Sequence, residues 1–441
     1  MNSGADLNIK SLGPCRFDSP LAHLLARRRH TVEKVEETDH VLYDDTRSAA
    51  VTRQCEVEAL PAFEPAGPRR RIYFDPAQTR AGIVTCGGLC PGFNDVIRAL
   101  VMELHHRYGV PGIFGFRNGY QGFVGKHARD VVELTPASVS EINEDGGTIL
   151  GTSRGEQDIP EVVDCLERMK INMLFAIGGD GTIRGALEIV RTIAERGAKI
   201  AVVGIPKTID NDISLIDHSF GFQTAFTEAA KSIDAAHVEA TSAPHGIGLV
   251  KLMGRHSGFI ACYASLAKND ANFVLIPEVP FRLEGENGLL ALLRERLVRR
   301  NHAVIVVAEG AGQDLVRTGE PEYDKSGNVK LGDIGAYLRK QIAEYFAKQN
   351  MEINLKYIDP SYMIRSVPAN AYDAIYCIRL AHNAVHAAMC GRTEMLVGRW
   401  HGRFVHIPMP LAIERRKVVD PDGDLWMSVL ESTGQPWQIG L

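Results

Sequence analysis

The sequence predicts an α/β fold: two domains whose mainly parallel sheets face each other across a cleft, preceded by an N-terminal extension. Three observations carry this. From about residue 80 onward, short and almost unbroken apolar runs alternate with helical patterns, as strands covered on both faces do. The strand–helix units recur in two blocks, before and after about residue 220. Polar, glycine-rich or acidic turns close these strands, at the carboxyl edge where open α/β sheets collect ligands.

Residues 1–75 lack any long apolar period. They hold a basic run at 27–30, a mainly acidic stretch at 33–45, Pro-rich sequence at 61–68 and three arginines at 69–71. This pattern predicts an extension that wraps on the surface, packs against a partner subunit or is partly mobile, with its charge runs as solvated faces. Residues 81–85 then read as a short buried strand ending in a Gly-rich turn, and 94–106 as a helix. Residues 173–177 are a second strand, ending in Gly-Gly and followed by a helix over 183–196. A third strand covers 200–205 and ends at Pro206. Three more lie at 246–250, 273–276 and 303–308.

Composition narrows the function. The 441 residues allow two or three domains, and 45% hydrophobic with 23% charged residues is ordinary for a globular chain. A net charge of -5 gives no bulk attraction for nucleic acid or an anionic membrane, so an anionic substrate needs locally placed Arg and Lys. Eight cysteines are scattered. The one close pair, Cys86 and Cys90, has no second pair of ligands to make a zinc site, which leaves reduced thiols as the reading. No apolar run is long enough to span a membrane, the first ten residues lack a signal-peptide core and the last three are not a peroxisomal address. A cytoplasmic location is expected.

Six motifs carry chemistry. Cys86-Gly87-Gly88-Leu89-Cys90-Pro91-Gly92 follows a strand and lets backbone N–H groups approach an anion near a helix N-terminus; it lacks the Gly-Lys-Ser/Thr ending of a Walker A loop, and a tight turn accounts for it equally well. Gly178-Gly179-Asp180-Gly181-Thr182 fits a nucleotide phosphate with its magnesium, Asp180 being a hard oxygen ligand; Thr182 has the alternative of capping the helix. Lys207-Thr208-Ile209-Asp210-Asn211-Asp212 concentrates carboxylates where one could accept a hydroxyl proton during phosphoryl transfer. Met253-Gly254-Arg255 offers a guanidinium to phosphate, Glu309 closes another strand, and the stretch 356–365 supplies Lys356, Tyr362 and Arg365.

In this order the motifs resemble the phosphofructokinase family over roughly residues 80–415, and most of all its longer ATP-dependent branch found in trypanosomes and related to plant enzymes. Lys207, the Ile-Asp-Pro-Ser-Tyr-Met-Ile-Arg stretch at 358–365 and the N-terminal extension point to that branch. The resemblance implies two Rossmann-like domains: an ATP-binding one from residues 76–220 and 364–415, and a fructose 6-phosphate-binding one from 221–363 with the C-terminal segment 416–441. It implies phosphorylation of the sugar 1-hydroxyl, the committed step of glycolysis, with Mg2+, allosteric control and a homo-oligomer, tetramer or dimer. Gly88, Tyr120, Arg154, Gly155, Gly179, Asp180, Gly181 and Thr182 would bind ATP, with Asp180 on the metal. Asp210 would be the base and Arg255 would offset developing charge. Thr208, Ile209, Met253, Gly254, Glu309, Lys356, Tyr362, Met363, Ile364 and Arg365 would complete the sugar-phosphate site.

Three departures bear on this. Pyrophosphate-using relatives carry Lys where Lys207 stands, but they also carry Asp where Gly181 stands, and an Asp there would crowd and repel the nucleotide α-phosphate. Short bacterial relatives carry, at Gly246, an Arg that reaches the substrate of a neighbouring subunit. A pyrophosphate-dependent enzyme is therefore the alternative. An idle regulatory subunit is disfavoured by the presence of both Asp180 and Asp210, and a bare nucleotide module by the second ligand set.

Overall fold

The computed structural model describes residues 6–22, 39–46, 60–125, 130–317, 319–320, 322–323 and 329–440. The basic run at 27–30 and the start of the acidic stretch lie outside the described residues. Two compact units form. One comprises Met1–Thr208, Ile213–Gly221 and Val367–Arg416; the other comprises Ile209–Asp212, Phe222–Ser366 and Lys417–Leu441.

Among the described residues, the first unit opens with five two-residue strands: β1 (Lys10–Ser11), β2 (Phe17–Asp18), β3 (Val41–Leu42), β4 (Ala62–Phe63) and β5 (Arg71–Ile72). The regular alternation follows: β6 (Arg80–Thr85), α1 (Phe93–Met102), β7 (Gly112–Phe116), β8 (Val132–Glu133), α2 (Ile159–Arg168), β9 (Met173–Gly178), α3 (Asp180–Glu195) and β10 (Ala201–Pro206). The second unit contributes α4 (Phe222–Thr241), β11 (Gly246–Leu252), α5 (Phe259–Lys268), β12 (Phe273–Leu275), α6 (Leu289–Arg300) and β13 (His302–Ala308). It continues with α7 (Gln313–Val316), α8 (Ile334–Lys348), β14 (Asn354–Ile358) and α9 (Ser361–Arg365). The chain returns to the first unit with α10 (Ala371–Met389), β15 (Arg392–Thr393), β16 (Met395–Trp400), β17 (Arg403–Pro408) and α11 (Met409–Ala412), and α12 (Asp424–Thr433) belongs to the second.

The main sheet of the first unit has the order β17-β16-β10-β9-β6-β7-β8. Its five inner strands are parallel, and β17 and β8 flank them antiparallel. β9 and β10 are buried along their whole length, which is why their sequences read as continuous apolar runs rather than alternating ones. The second unit holds a parallel sheet of order β12-β13-β11-β14.

Helices match their apolar stripes. In α3, Ile183, Ala186, Leu187, Val190 and Ile193 are buried, a spacing of three and four that faces one side to the sheet. This helix begins at Asp180, three residues before the predicted start, because Gly179 is its N-cap and the Gly-Asp-Gly-Thr motif forms its first turn. Thr182 therefore does not cap it. The predicted helix 94–106 stays regular only to Met102; a wider turn over Glu103–Tyr108 follows and ends at Gly109, φ 71°.

The described parts of the N-terminal segment contribute to the first unit's core. Leu7, Val41 and Phe63 join the cluster packed on the main sheet, and β1 pairs antiparallel with β15. Glu64 receives Arg69 Nη2 at 3.0 Å, Arg392 Nε at 3.0 Å and His406 Nδ1 at 3.2 Å. Among the described residues no helix is long and apolar enough to cross a membrane.

Candidate active site

In the first unit, the predicted nucleotide residues gather at the carboxyl ends of adjacent parallel strands. β10 and β9 end in register, Pro206 opposite Gly178, and Thr85 of β6 stands opposite Ile177. The turn after β6 is fixed from two sides. Thr85 donates its hydroxyl to the Gly151 carbonyl at 2.7 Å, and Gly87 N–H reaches the Ser153 carbonyl at 3.4 Å. The loop so attached delivers Arg154 and Gly155, and Arg154 Nη2 stands 3.5 Å from where a side chain on Gly88 would begin. Lys207 Nζ donates to the Gly88 carbonyl at 2.9 Å and lies over the Phe93 ring. It braces the first turn from the end of a strand in the same sheet.

Tyr120 sits behind this surface. Its hydroxyl donates to the Thr182 carbonyl at 2.8 Å, its ring packs on Gly185, and burial raises its pKa well above the ordinary tyrosine value. The side chain thereby supports the first turn of α3. Asp180, in that turn, is half-buried. Its Oδ2 lies 3.3 Å from Arg184 Nε and 3.6 Å from Arg416 Nη2. Gly181 is exposed, and a Cβ built there meets no atom within 4 Å. Thr208 is half-buried, and its carbonyl accepts the Ser219 hydroxyl.

In the second unit, Asp210 is tied to the Met253-Gly254-Arg255 turn at the end of β11. Its Oδ2 accepts the Arg255 N–H at 3.3 Å, and its carbonyl accepts the Ser257 hydroxyl at 2.9 Å. Gly254 has φ 128° and faces the Ser257 carbonyl closely, so no side chain fits. The turn after β13 zips onto this one: Glu309 N–H donates to Leu252 at 2.8 Å and Gly310 N–H to Gly254 at 3.1 Å. Burial pushes the Glu309 carboxyl up, against the opposing charges of Arg255, Arg365 and Lys251. Glu309 thus shares one electrostatic neighbourhood with three cations.

The remaining candidates fall into two groups. Met253 and Ile364 belong to the apolar core of this unit, and Ile209 is half-buried against it, so any ligand contact Met253 or Ile364 makes is an edge contact. Tyr362 and Met363 are 82% and 72% exposed, and Arg365 lies over the Tyr362 ring at 4.9 Å. Lys356 stands exposed on β14, two residues before its carboxyl end. At Gly246 a side chain would run into the Ala240 carbonyl, which closes this position to an arginine.

Lys251 stands at the head of the Met-Gly-Arg motif in the sequence, but sequence reasoning gives it no role. It ion-pairs with Asp359 at 2.9 Å and Asp333 at 3.2 Å. A lone Lys near the end of an apolar strand gives no sequence signal; its partners are far away along the chain. Among the described residues no group of three or more His, Cys, Asp or Glu is placed to hold a metal. A hard cation near Asp180 would have one protein carboxylate and would complete its shell with water and ligand oxygens, the usual manner of Mg2+. Cys86 and Cys90 are buried thiols, and burial raises Cys86 to about 12.

A family model described as phosphofructokinase matches residues 80–388. An ATP-dependent 6-phosphofructokinase of Amycolatopsis methanolica is 56% identical over 442 residues, covering 99% of this chain and 96% of that protein. ATP-dependent 6-phosphofructokinase 7 of Arabidopsis thaliana is 50% identical, covering 86% and 78%. An ATP-dependent 6-phosphofructokinase of Trypanosoma cruzi is 44% identical, covering 97% and 87%. Among solved structures, a pyrophosphate-dependent phosphofructokinase of Marinobacter aquaeolei matches with a TM-score of 0.66 at 18% identity, covering 80% of this chain and 91% of that one. At that identity the likeness is one of fold.

Proposed function

Because the chain belongs to the phosphofructokinase family, we propose that it transfers the γ-phosphoryl group of ATP to the 1-hydroxyl of fructose 6-phosphate, giving fructose 1,6-bisphosphate and ADP. The observation that carries the choice of donor is Gly181. Packing does not require glycine there, since a Cβ meets no atom within 4 Å, and glycine in a helix costs about 1 kcal/mol relative to alanine. The reason for a missing side chain is therefore sought in the ligand, and the α-phosphate of a nucleotide is the group an acidic side chain would crowd. Lys207, which alone would argue for pyrophosphate, has a bracing contact to Gly88 that either donor would use.

Phosphoryl transfer asks the protein chiefly for positioning and charge. In this reading Gly88, Gly155, Gly179 and Thr182 line the phosphate path, Tyr120 supports it, and Arg154 and Arg255 offset the charge on the transferred group. Asp210 accepts the proton of the 1-hydroxyl. The Arg255 N–H bond to its Oδ2 holds that carboxylate in place. Thr208 and Gly254 border the reacting centre, Glu309 accepts sugar hydroxyls, and Lys356, Tyr362 and Arg365 hold the 6-phosphate, with Ile209, Met253, Met363 and Ile364 at its edge. Mg2+, held by Asp180 and phosphate oxygens, would neutralise charge between donor phosphates. The same reading makes the protein a cytoplasmic, allosterically controlled homo-oligomer, tetramer or dimer, at the committed step of glycolysis.

The test compares turnover of fructose 6-phosphate with ATP and with pyrophosphate, each at saturation with Mg2+. ATP should be preferred by about tenfold or more in kcat/KM. A preference for pyrophosphate overturns the donor, and no product with either overturns the reaction.

A further inference from the structure

The carboxyl end of β11 carries a charge cluster that the proposed reaction leaves unused. Lys251 Nζ lies 2.9 Å from Asp359 Oδ2 and 3.2 Å from Asp333 Oδ1, with its side chain only 13% exposed. Each carboxylate also has a second task. Asp333 caps α8, accepting the Ala336 N–H at 3.1 Å, and takes the Tyr357 hydroxyl at 3.3 Å. Asp359 fixes the first residue of α9, accepting the Ser361 N–H at 3.2 Å and the Ser361 hydroxyl at 2.6 Å. From there the connection continues: Arg365 Nε donates to the Ser361 carbonyl at 3.2 Å, and the guanidinium lies over the Tyr362 ring. One ammonium thus ties the end of β11 to the starts of two helices, and one of these carries Tyr362 and Arg365.

The electrostatics agree with a fixed, permanently charged hub. Burial opposes the ammonium, but the Asp359 bond and the nearby Tyr357 and Asp333 more than offset it and hold the lysine above its ordinary pKa. Asp333 and Asp359 are both held below the usual carboxylate value, again against burial. Lys251 also acts on Glu309, alongside Arg255 and Arg365.

We propose that Lys251 is a positioning residue of the sugar-phosphate site: through Asp359 it sets where α9 begins, and so where Tyr362 and Arg365 meet the 6-phosphate. This rests on the proposed role of Tyr362 and Arg365 at that phosphate. A partly exposed ion pair that merely braced the fold would cost some stability on removal without singling out one substrate, so a split between substrates separates the two roles.

Lys251→Met keeps the apolar stem and removes the charge. In steady-state kinetics it raises KM for fructose 6-phosphate about tenfold or more, changes KM for ATP less than about twofold, and lowers kcat less than about fivefold. Lys251→Arg recovers most of the lost affinity. Asp359→Asn adds little in the Lys251→Met background, because both substitutions cut the same link. If Lys251→Met does not fold, Asp359→Asn, nearly isosteric, is read for the same split. Thermal unfolding accompanies each variant: a lowered Tm with both KM values unchanged, or with both raised equally, overturns the inference and leaves a structural brace. Wild-type protein that does not phosphorylate fructose 6-phosphate overturns the functional reading instead, a different outcome from an active wild type whose Lys251→Met variant keeps its KM.

Discussion

At Gly178 a side chain would run into Thr182, whereas at Gly181, three residues on, it would meet nothing. The first glycine is demanded by the fold and the second is not. Gly181→Asp should therefore leave stability intact or raise it slightly, since an acid in the first turn of a helix is favoured by the dipole. The same carboxylate would face the donor. KM for ATP is expected to rise about tenfold or more, about 1.4 kcal/mol, with KM for fructose 6-phosphate little changed. Thermal unfolding and steady-state kinetics on the one variant decide it: an unchanged KM for ATP would remove the steric argument for the donor. Residues of this kind were legible in the sequence because a turn that only joins a strand to a helix does not need a carboxylate, two glycines and a hydroxyl together. Lys251 was not legible, because its meaning lies in Asp333 and Asp359, which only the parallel pairing of β11 and β14 and the start of α8 bring to it.

Among the elements, the strands from 81 onward were legible for a physical reason: β6, β9, β10, β11 and β13 are buried on both faces nearly throughout, so their apolar runs have no competing pattern. The N-terminal segment was opaque because the strands among its described residues are two residues long, too short for any period. Its anchoring depends instead on single residues such as Phe63 and Glu64. Burial works to raise the Glu64 carboxyl, but the His406 Nδ1–H bond and the guanidiniums of Arg392 and Arg69 outweigh it and hold its pKa at about 2, against 4.5 when unperturbed. A carboxylate depressed in the folded state stabilises it above the unfolded pKa, and that stabilisation is lost as pH falls through the folded value. The difference corresponds to about 3 kcal/mol at neutral pH. Glu64→Gln should lower the urea midpoint at pH 7, and the gap to wild type should close between pH 4.5 and pH 2. A gap independent of pH would mean that shape, not charge, anchors the segment.

For the whole molecule, the division of labour follows the division of the chain. The residues assigned to ATP, from Gly88 to Thr182, lie in the first unit, and Asp210, Arg255, Glu309 and Arg365 lie in the second. Apart from Asp210, which follows β10 of the first unit's sheet, each set stands at the carboxyl ends of parallel strands in its own unit's sheet, and each sheet has its own apolar packing. A ligand that binds one set should slow local opening chiefly in that unit, since exchange reports the free energy of opening and binding suppresses the openings that break its site. Hydrogen exchange read by mass spectrometry therefore has a definite pattern to find. A non-hydrolysable ATP analogue with Mg2+ should protect peptides over 86–92 and 178–184, and fructose 6-phosphate should protect 253–258, 309–311 and 361–366. Protection by the sugar phosphate confined to the first unit would reassign the two sites. Protection of 361–366 that disappears in Lys251→Met, while 253–258 stays protected, is the further outcome expected if α9 is set in place from the end of β11.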